Sequence, residues 1–224
     1  MAIVSNLELI RRVPLFSDLT PGQSGIISSA VGKRRFRRGE TIVEQGAVSG
    51  MLFMILSGKA RVVAQDDRGR EVIMASLGPG DCIGEMSLID GDPHSATVRA
   101  EVQTDVLTLE HDAFTRCLRD NVNMAEAVMR ALVRRLRNAD RQIRSLALMD
   151  VYGRVGDALL DMAEEEADGT LVLRKKVSRQ EVARMVGASR EMVSRVMKHF
   201  EDNGLVQARG DGSFLLRPMP HTLE

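Results

Sequence analysis

The feature that most restricts how this chain can fold is a heptad pattern of apolar and small residues near its middle. Their spacing alternates between three and four residues at Val122, Ala125, Met129, Leu132, Leu136, Ala139, Ile143 and Leu146. A seam that continues for more than three repeats predicts one long helix. Arginines on its flanks keep the other faces in water: Arg130, Arg134, Arg135, Arg137, Arg141 and Arg144. The helix can pack on its own domain, but a seam this long favours a parallel homodimer, and one helix can serve both purposes.

The residues before this helix have the pattern of β-strands. Between positions 33 and 110, short apolar or alternating runs recur about every ten residues and are separated by turn signals. The runs are TIVE, MLFMILS, KARVVAQ, EVIMASL, SATVRAEV and DVLTLE. This spacing predicts an antiparallel sandwich or barrel.

The residues after the helix predict a small helical domain that ends in a β-hairpin. From Asp150, DVYGRVGDALLDMAEEE predicts an amphipathic helix that closes in acidic residues, and TLVLRKKV predicts a short strand. Two helices over 178–202 precede two short strands around a Gly-Asp-Gly turn, which is the outline of a winged helix-turn-helix. We therefore predict an α+β chain in three parts: a β-rich domain over 1–120, the long helix over 121–149, and a winged helix over 150–222.

Composition excludes several classes of protein. Formal net charge is zero, so the overall charge does not indicate a polyanionic partner. Cys82 and Cys117 form no CxxC pair or metal-ligand cluster, which favours a reduced, cytoplasmic protein and argues against an iron–sulfur cluster. No apolar run of about 18 residues and no secretion signal is present, so we expect no membrane contact. We predict no catalytic residue and no metal site.

The most informative stretch is VSRQEVARMVGASREMVSRVMKHFEDNGLV, which has the pattern of two short helices joined by a tight turn. Ser178 and Glu181 are a predicted capping box for the first helix. Gly187 ends that helix in a left-handed turn, and Ser189 caps the second helix. The second helix then exposes Arg190, Glu191, Ser194, Arg195 and Lys198.

The residue types on this surface fit DNA. Arginine can donate two hydrogen bonds to guanine and glutamate can accept one from cytosine, which suits Arg190, Arg195 and Glu191 for reading bases. Phosphate contacts can come from Ser178, Arg179, Ser189 and Lys198, with Gln180 and Ser194 beside them. Residues 171–210 carry nine Arg or Lys and four Asp or Glu, so this segment is about +5 on a neutral chain. The alternative, a solvated helical hairpin, does not account for a glycine between two capped helices.

A second motif, GEMSLIDGDPHSA over 84–96, has the pattern of a phosphate cradle. A glycine and a glutamate open a short apolar turn, a Gly-Asp-Pro break follows, and a His-Ser pair leads into an alternating run. We predict that an anionic ligand binds Gly84, Glu85, Met86, Ser87, His94, Ser95 and Ala96. His94 is the residue best placed to neutralise a phosphate; the alternative is an ordinary histidine in a surface loop.

Together these motifs resemble the CRP/FNR family of bacterial transcription regulators, which includes the cyclic-AMP receptor protein. The resemblance covers nearly the whole chain and is carried by GEMSLIDGDPHSATVRA, RRLRNADRQIRSLALMDVYGR and SRQEVARMVGASREMVSRVMKHFEDNGLV. It implies an eight-stranded β-roll that holds a cyclic nucleotide, a central dimerisation helix, and a winged helix that enters the major groove. It also implies a homodimer that contacts RNA polymerase and reads half-sites similar to TGTGA and TCACA through Arg190, Glu191 and Arg195.

The resemblance assigns roles in the cradle, and two departures from the family bear on the ligand. Glu85 would bind a ribose hydroxyl and Ser95 the phosphate, but His94 stands where the family has an arginine, which is always charged. A histidine with an ordinary pKa of about 6.5 is mostly neutral in the cytoplasm. Ala139 and Asp140 stand where the cyclic-AMP receptor protein has a Thr-Ser pair that contacts adenine.

These departures favour a guanine nucleotide. Asp140 can accept hydrogen bonds from guanine N1–H and the N2 amine, so cyclic di-GMP and cyclic GMP are preferred to cyclic AMP as the effector. Alternatively, Asp140 is a solvated residue that pairs with Arg137 or Arg144. Three other interpretations stay open: a regulator that binds DNA without a nucleotide or senses another small ligand, a diesterase that uses Glu85 and His94 as acid and base, and a nucleotide module that serves a partner protein.

Overall fold

The computed structural model describes residues 6–10, 13, 16, 20–174 and 177–217. The helices in these ranges are α1 (Asn6–Ile10), α2 (Pro21–Ala30), α3 (Glu85–Asp90), α4 (His111–Asp120), α5 (Val122–Leu148), α6 (Val151–Asp161), α7 (Arg179–Val186) and α8 (Arg190–Asp202). The strands are β1 (Val31–Phe36), β2 (Thr41–Val43), β3 (Met51–Ser57), β4 (Ala60–Gln65), β5 (Glu71–Leu77), β6 (Cys82–Ile83), β7 (Thr97–Ala100), β8 (Thr104–Glu110), β9 (Glu164–Glu165), β10 (Leu171–Leu173), β11 (Val206–Ala208) and β12 (Phe214–Leu216). This is the α+β class that the sequence predicts. Among the described helices, none has the length and apolar character needed to cross a membrane.

The chain divides into two compact units, with the boundary between Leu136 and Arg137. In the first unit, the described strands form two antiparallel sheets with the orders β1-β8-β3-β6 and β2-β7-β4-β5. Strand β3 contributes to two parts of the core, because Leu52 and Met54 pack with α4 and α5 while Phe53 and Ile55 pack between the sheets. Burial on both faces explains why MLFMIL is a continuous apolar run instead of an alternating one.

Each of the six apolar runs in the sequence corresponds to a strand, whereas β1 has no such run. Strand β1 reads VGKRRF and exposes its four central residues. It pairs with β8 from Val31 opposite Leu109 to Phe36 opposite Thr104. Its position therefore depends on backbone hydrogen bonds to β8 and on its two buried ends, and its charged side chains are typical of an edge strand.

Helix α5 confirms the long helix that the heptad pattern predicts. It extends over 27 residues, and Met124 and Val128 are buried in the core of the first unit. Most of the predicted seam is not covered within the chain: Met129, Leu136 and Ile143 are all exposed. One stripe of the helix thus packs on its own unit, and a second apolar stripe faces outward.

The second unit has the predicted helix-turn-helix and wing. Helices α6, α7 and α8 enclose a core that includes Val155, Leu159, Val182, Val193 and Phe200. The wing is an antiparallel sheet with the order β11-β12-β10-β9. Residues 218–222, which the sequence assigns to this domain, lie outside the described residues.

The predicted caps of α7 and α8 are confirmed. The Ser178 hydroxyl oxygen accepts a hydrogen bond of 3.1 Å from the Glu181 amide, and the Ser189 oxygen accepts one of 3.2 Å from the Met192 amide. Gly187 ends α7 with φ +63°, the left-handed conformation that the turn requires. Local chemistry therefore determines both the bounds of these helices and the turn between them.

The helix predicted from DVYGRVGDALLDMAEEE is wrong at its acidic end. Helix α6 ends at Asp161, and Glu164–Glu165 form β9, which pairs with β10. Arg174 donates to Glu164 and Arg209 donates to Glu166, each at 2.9 Å. These arginines come from later in the chain, so no local pattern indicates that the acidic segment joins the wing.

Candidate functional site

The segment 84–96 folds around Gly84, which precedes α3 with φ +88°. A Cβ at this position would lie 2.8 Å from the carbonyl oxygen of Met51. Glycine is therefore required both by the backbone conformation and by the close approach of β3. The turn places Glu85 and Ser87 on the inner side of α3, where both are buried.

The inner side of α3 and the segment that begins at His94 line a cavity of about 60 Å³. The cavity brings together the predicted ligand residues of the cassette, which are Gly84, Glu85, Met86, Ser87, His94, Ser95 and Ala96. Apolar walls come from Val43, Val62, Leu77, Ile83 and Val98. Ala139 and Asp140 are not among the described lining residues; both lie on α5 in the second unit and are exposed.

Arg135 of α5 also lines the cavity and binds Glu85. Its guanidinium donates hydrogen bonds to the Glu85 carboxylate and to the carbonyl oxygen of Cys82. The Glu85 side chain is only 4% exposed, and its Oε2 has no hydrogen-bond partner among the described residues. Burial raises the pKa of Glu85, and the Arg135 charge opposes that rise. The pair therefore leaves one carboxylate oxygen available to a hydroxyl of a ligand.

The sequence grouped Arg135 with the solvated arginines of the helix, and that interpretation is wrong for this residue. Arg135 follows the buried Val128 by seven residues, so it lies on the stripe of α5 that faces the first unit. Because Val128 is not part of the predicted seam, the heptad pattern does not indicate that Arg135 faces the core.

His94 is not the surface-loop histidine that the alternative interpretation describes, because it is only 6% exposed. The Ser49 hydroxyl lies 2.7 Å from Nε2, and the Ser87 hydroxyl lies 2.9 Å from Nδ1. The His94 amide donates to the carbonyl oxygen of Ala47 at 2.9 Å, which fixes the backbone. Burial lowers the pKa of His94, so the ring is neutral at neutral pH in the absence of a ligand. The permanent cation of the cavity is therefore Arg135.

Glu85 and His94 do not form the acid–base pair of a diesterase in this arrangement, since Glu85 binds Arg135 and His94 binds two serines. Cys82 and Cys117 are free thiols, and burial raises the pKa of Cys82 to about 12. Within the described ranges, His, Cys, Asp and Glu side chains form no group of three or more that could hold a metal ion.

Helix α8 presents the predicted DNA-contacting residues at the surface. Its buried side consists of Val193, Val196, Met197 and Phe200, and its exposed residues include Arg190, Glu191, Arg195 and Lys198. In the described part of the chain, these four charged side chains form no ion pair. The surface of α8 is therefore available to a partner.

The other predicted DNA contacts have partners within the unit or lie at helix ends. Arg179 donates to Glu201 at 2.5 Å, and the Ser194 hydroxyl donates to the carbonyl oxygen of Arg190 at 2.8 Å. Ser178, Gln180 and Ser189 are exposed at or next to the first residues of α7 and α8. Lys175 and Lys176, which contribute to the positive charge of the segment, lie outside the described residues.

The sequence matches two domain families that agree with these sites. Residues 33–121 match the cyclic nucleotide-binding domain, and residues 153–220 match the Crp-like helix-turn-helix domain. The chain is 35% identical over 187 residues to the cAMP-activated global transcriptional regulator Vfr of Pseudomonas aeruginosa, which covers 80% of this chain and 86% of that protein. It is 28% identical over 206 residues to the CRP-like cAMP-activated global transcriptional regulator of Mycobacterium tuberculosis, covering 91% and 92% of the two chains.

The fold is also similar to that of a solved regulator. The c-di-GMP responsive global regulator CLP of Xanthomonas campestris matches with a TM-score of 0.73 and 28% identity, covering 89% of this chain and 100% of that chain. The two domain matches fall on the unit that holds the cavity and on the unit that holds the helix-turn-helix. The chain therefore belongs to the CRP/FNR family of transcription regulators.

Proposed function

We propose that this protein is a homodimeric transcription regulator whose affinity for a palindromic operator changes when a cyclic nucleotide binds its first domain. The observation that carries the proposal is the buried Glu85 carboxylate, whose Oε2 is unpartnered among the described residues and whose side chain lines a cavity with Arg135. A buried carboxylate oxygen without a donor costs free energy, which a ligand hydroxyl can recover. A ribose has such a hydroxyl.

The side chains around the cavity suit the other parts of a cyclic nucleotide. Arg135 can engage phosphate oxygens through two N–H groups, and the Ser95 hydroxyl can donate to the same phosphate. At about 60 Å³ the cavity is smaller than the roughly 300–1,000 Å³ of most small-molecule sites. A nucleotide is therefore larger than this cavity, and we propose that the partly exposed Arg135 side chain moves when a nucleotide binds.

The nucleotide we favour is cyclic di-GMP or cyclic GMP, with cyclic AMP as the third candidate. Two relatives are named as cAMP-activated and a structural neighbour as c-di-GMP responsive, so members of this family respond to different purines. Asp140 is exposed and able to accept from the two N–H donors of guanine, whereas Ala139 offers adenine no hydrogen bond.

In the proposed regulator, residues 1–120 sense the nucleotide, 121–149 form the dimerisation helix, and 150–222 bind DNA. Two recognition helices would enter major grooves about 34 Å apart, on half-sites similar to TGTGA. Because binding energies are linked, DNA that selects this arrangement must tighten nucleotide binding by the same factor. The family consists of transcription regulators, so we also propose RNA polymerase as a partner.

Isothermal titration calorimetry of the full chain with cyclic AMP, cyclic GMP and cyclic di-GMP tests the proposal. Wild type is expected to bind a guanine nucleotide more tightly than cyclic AMP. Asp140→Ala should reduce this preference roughly ten- to a hundredfold, because a charged hydrogen bond is worth about 1.5–3 kcal/mol. His94→Arg should strengthen binding of all three by adding a permanent cation.

Two outcomes would contradict parts of the proposal. Tight binding of cyclic AMP alone would refute the preference for guanine. Absence of binding, together with gel shifts of the operator that do not change when nucleotides are added, would favour the alternative in which the same fold binds DNA without a nucleotide or senses another small ligand.

A further inference from the structure

The charged groups that line the cavity of the first unit balance one another. Glu85 and Arg135 form an ion pair, and His94 is the remaining titratable side chain of the described lining. The other lining residues are apolar residues, glycine and serine. While His94 is neutral, the cavity therefore presents no net positive charge to an anionic ligand.

The hydrogen bonds of His94 suit a charged ring as well as a neutral one. In the neutral ring one nitrogen donates and the other accepts, and a serine hydroxyl can do either. When the ring is protonated, both nitrogens donate and the oxygens of Ser49 and Ser87 both accept, so no heavy atom has to move. The hydroxyl hydrogen of Ser87, which lines the cavity, is then free to point toward a ligand.

The charged residues on the elements around His94 do not already supply this ring with an anionic partner. Exposed acids lie on the segment that carries Ser49, at the end of α3 and in the following loop: Glu44, Asp90 and Asp92. On β7, Arg99 pairs with Glu71 at 2.6 Å. The acid inside the cavity, Glu85, is bound by Arg135. A phosphate in the cavity therefore adds a negative charge that the ring lacks in the free protein.

We propose that His94 takes up a proton from solvent when an anionic cyclic nucleotide enters this cavity, so that nucleotide affinity depends on pH. The inference rests on the proposed function, because it concerns the same ligand in the same site. The family resemblance places a permanently charged arginine at this position. In this protein His94 would replace it with a positive charge that forms only when the nucleotide is bound.

The direction of the pH dependence follows from linkage. Burial holds the pKa of His94 below its ordinary value of 6.5 in the free protein, and a neighbouring phosphate raises it in the complex. Affinity is therefore highest below the pKa of the free protein and falls as pH rises through the pKa of the complex. Between these two values, the dissociation constant should increase about tenfold for each pH unit.

Calorimetry in buffers of different ionisation enthalpy measures the proton directly. Cyclic AMP, cyclic GMP and cyclic di-GMP are titrated separately into the full chain at several pH values. Wild type is expected to take up protons on binding. At pH values between the His94 pKa of the free protein and that of the complex, the uptake should approach one proton for each bound nucleotide. His94→Gln, which stays neutral, and His94→Arg, which stays charged, should both abolish the uptake and flatten the pH profile. His111→Gln changes an exposed histidine and should keep the uptake.

Proton assignment and folding need separate measurements. The imidazole resonances of His94, followed by NMR against pH with and without nucleotide, should show a raised pKa in the complex, and thermal melts should show that the variants fold. Uptake that persists in His94→Gln, or a His94 ring that stays neutral in the bound protein, overturns the inference while the proposed function stands. Failure of all three nucleotides to bind overturns both.

Discussion

Glu85 holds an almost fully buried carboxylate, with one oxygen bonded by Arg135 and the other unpartnered among the described residues. Burial raises its pKa, which means that the fold disfavours the charge, and the Arg135 guanidinium recovers part of that cost. A buried charged residue that lowers the stability of the folded protein is characteristic of a binding site. Arg135 accordingly stabilises the free protein, and in the proposed function it also binds a ligand phosphate.

Replacing Arg135 with glutamine should destabilise the first unit by about 1–3 kcal/mol near neutral pH, because Glu85 would lose its cation. The loss is smaller than for a fully buried pair, since the Arg135 side chain is 36% exposed. The pKa of Glu85, already above its ordinary 4.5, rises further in the variant. Because the pKa of Glu85 is higher in the folded than in the unfolded protein, protonation of this carboxyl favours the folded state. The resulting stability is complete below about 4.5 and is lost as pH rises through the folded-state pKa.

The destabilisation by Arg135→Gln should therefore be small near pH 4.5 and grow toward neutral pH, as thermal melts at a series of pH values would measure. Arg134→Gln changes the exposed neighbouring arginine and serves as the control. An equal loss at acidic and neutral pH would show that Arg135 contributes packing instead of charge compensation.

At the scale of elements, spacing predicts those strands and helices whose position depends on their own side chains. Strands β3 and β5 coincide with MLFMILS and EVIMASL, and α7 and α8 begin immediately after their predicted caps. Strand β1 could not be predicted in this way, because it exposes four of its six residues and takes its place from β8.

In the candidate site, too, the features that depend on residues close in sequence were predictable, and those that depend on distant residues were not. The cassette was predictable because its glycine, glutamate and serine are close in sequence and serve one turn. The burial of His94 was not, since Ser49 lies 45 residues away, and the role of Arg135 was not, since Glu85 lies 50 residues away. Residues that are distant in sequence and meet only in the folded chain produce no local pattern from which their contact could be predicted.

The recognition helix leads to a prediction that separates base reading from phosphate binding. Arg190→Ala should cost about 1–3 kcal/mol on a TGTGA-like operator and relax the preference at one base pair, because a bidentate contact to guanine would be lost. Lys198→Ala should weaken binding almost equally on all sequences and reduce the salt slope by about one. Gel shifts on a set of single-base operator variants at several salt concentrations measure both effects. An equal loss on every operator for Arg190→Ala would assign it a phosphate contact only.

At the scale of the whole molecule, α5 has two apolar stripes, and only one of them is buried within the chain. Met124 and Val128 are buried in the first unit, whereas Leu136 is 62% exposed and Ile143 is 64% exposed. These two residues are seven apart, as the a positions of a coiled coil are, and the exposed Met129 precedes them by the same interval. A second copy of α5 in parallel register would cover this stripe with identical residues, which is how an isologous dimer interface forms.

Glutamate at Leu136 or Ile143 should therefore break the proposed dimer while leaving each chain folded, because both positions are solvent-exposed in the single chain. A pair of like charges facing each other across the seam opposes association, and the substitution also removes an apolar side chain from the seam. Sedimentation equilibrium should show a dimer for wild type and a monomer for Leu136→Glu, with unchanged circular dichroism. Asn138→Glu adds the same charge at an exposed c position of the same heptad, away from the seam, and should stay dimeric. Because a monomer cannot engage two half-sites together, Leu136→Glu should lose affinity for the palindrome but bind an isolated half-site as wild type does. A Leu136→Glu variant that stays dimeric would mean that another surface holds the two chains together.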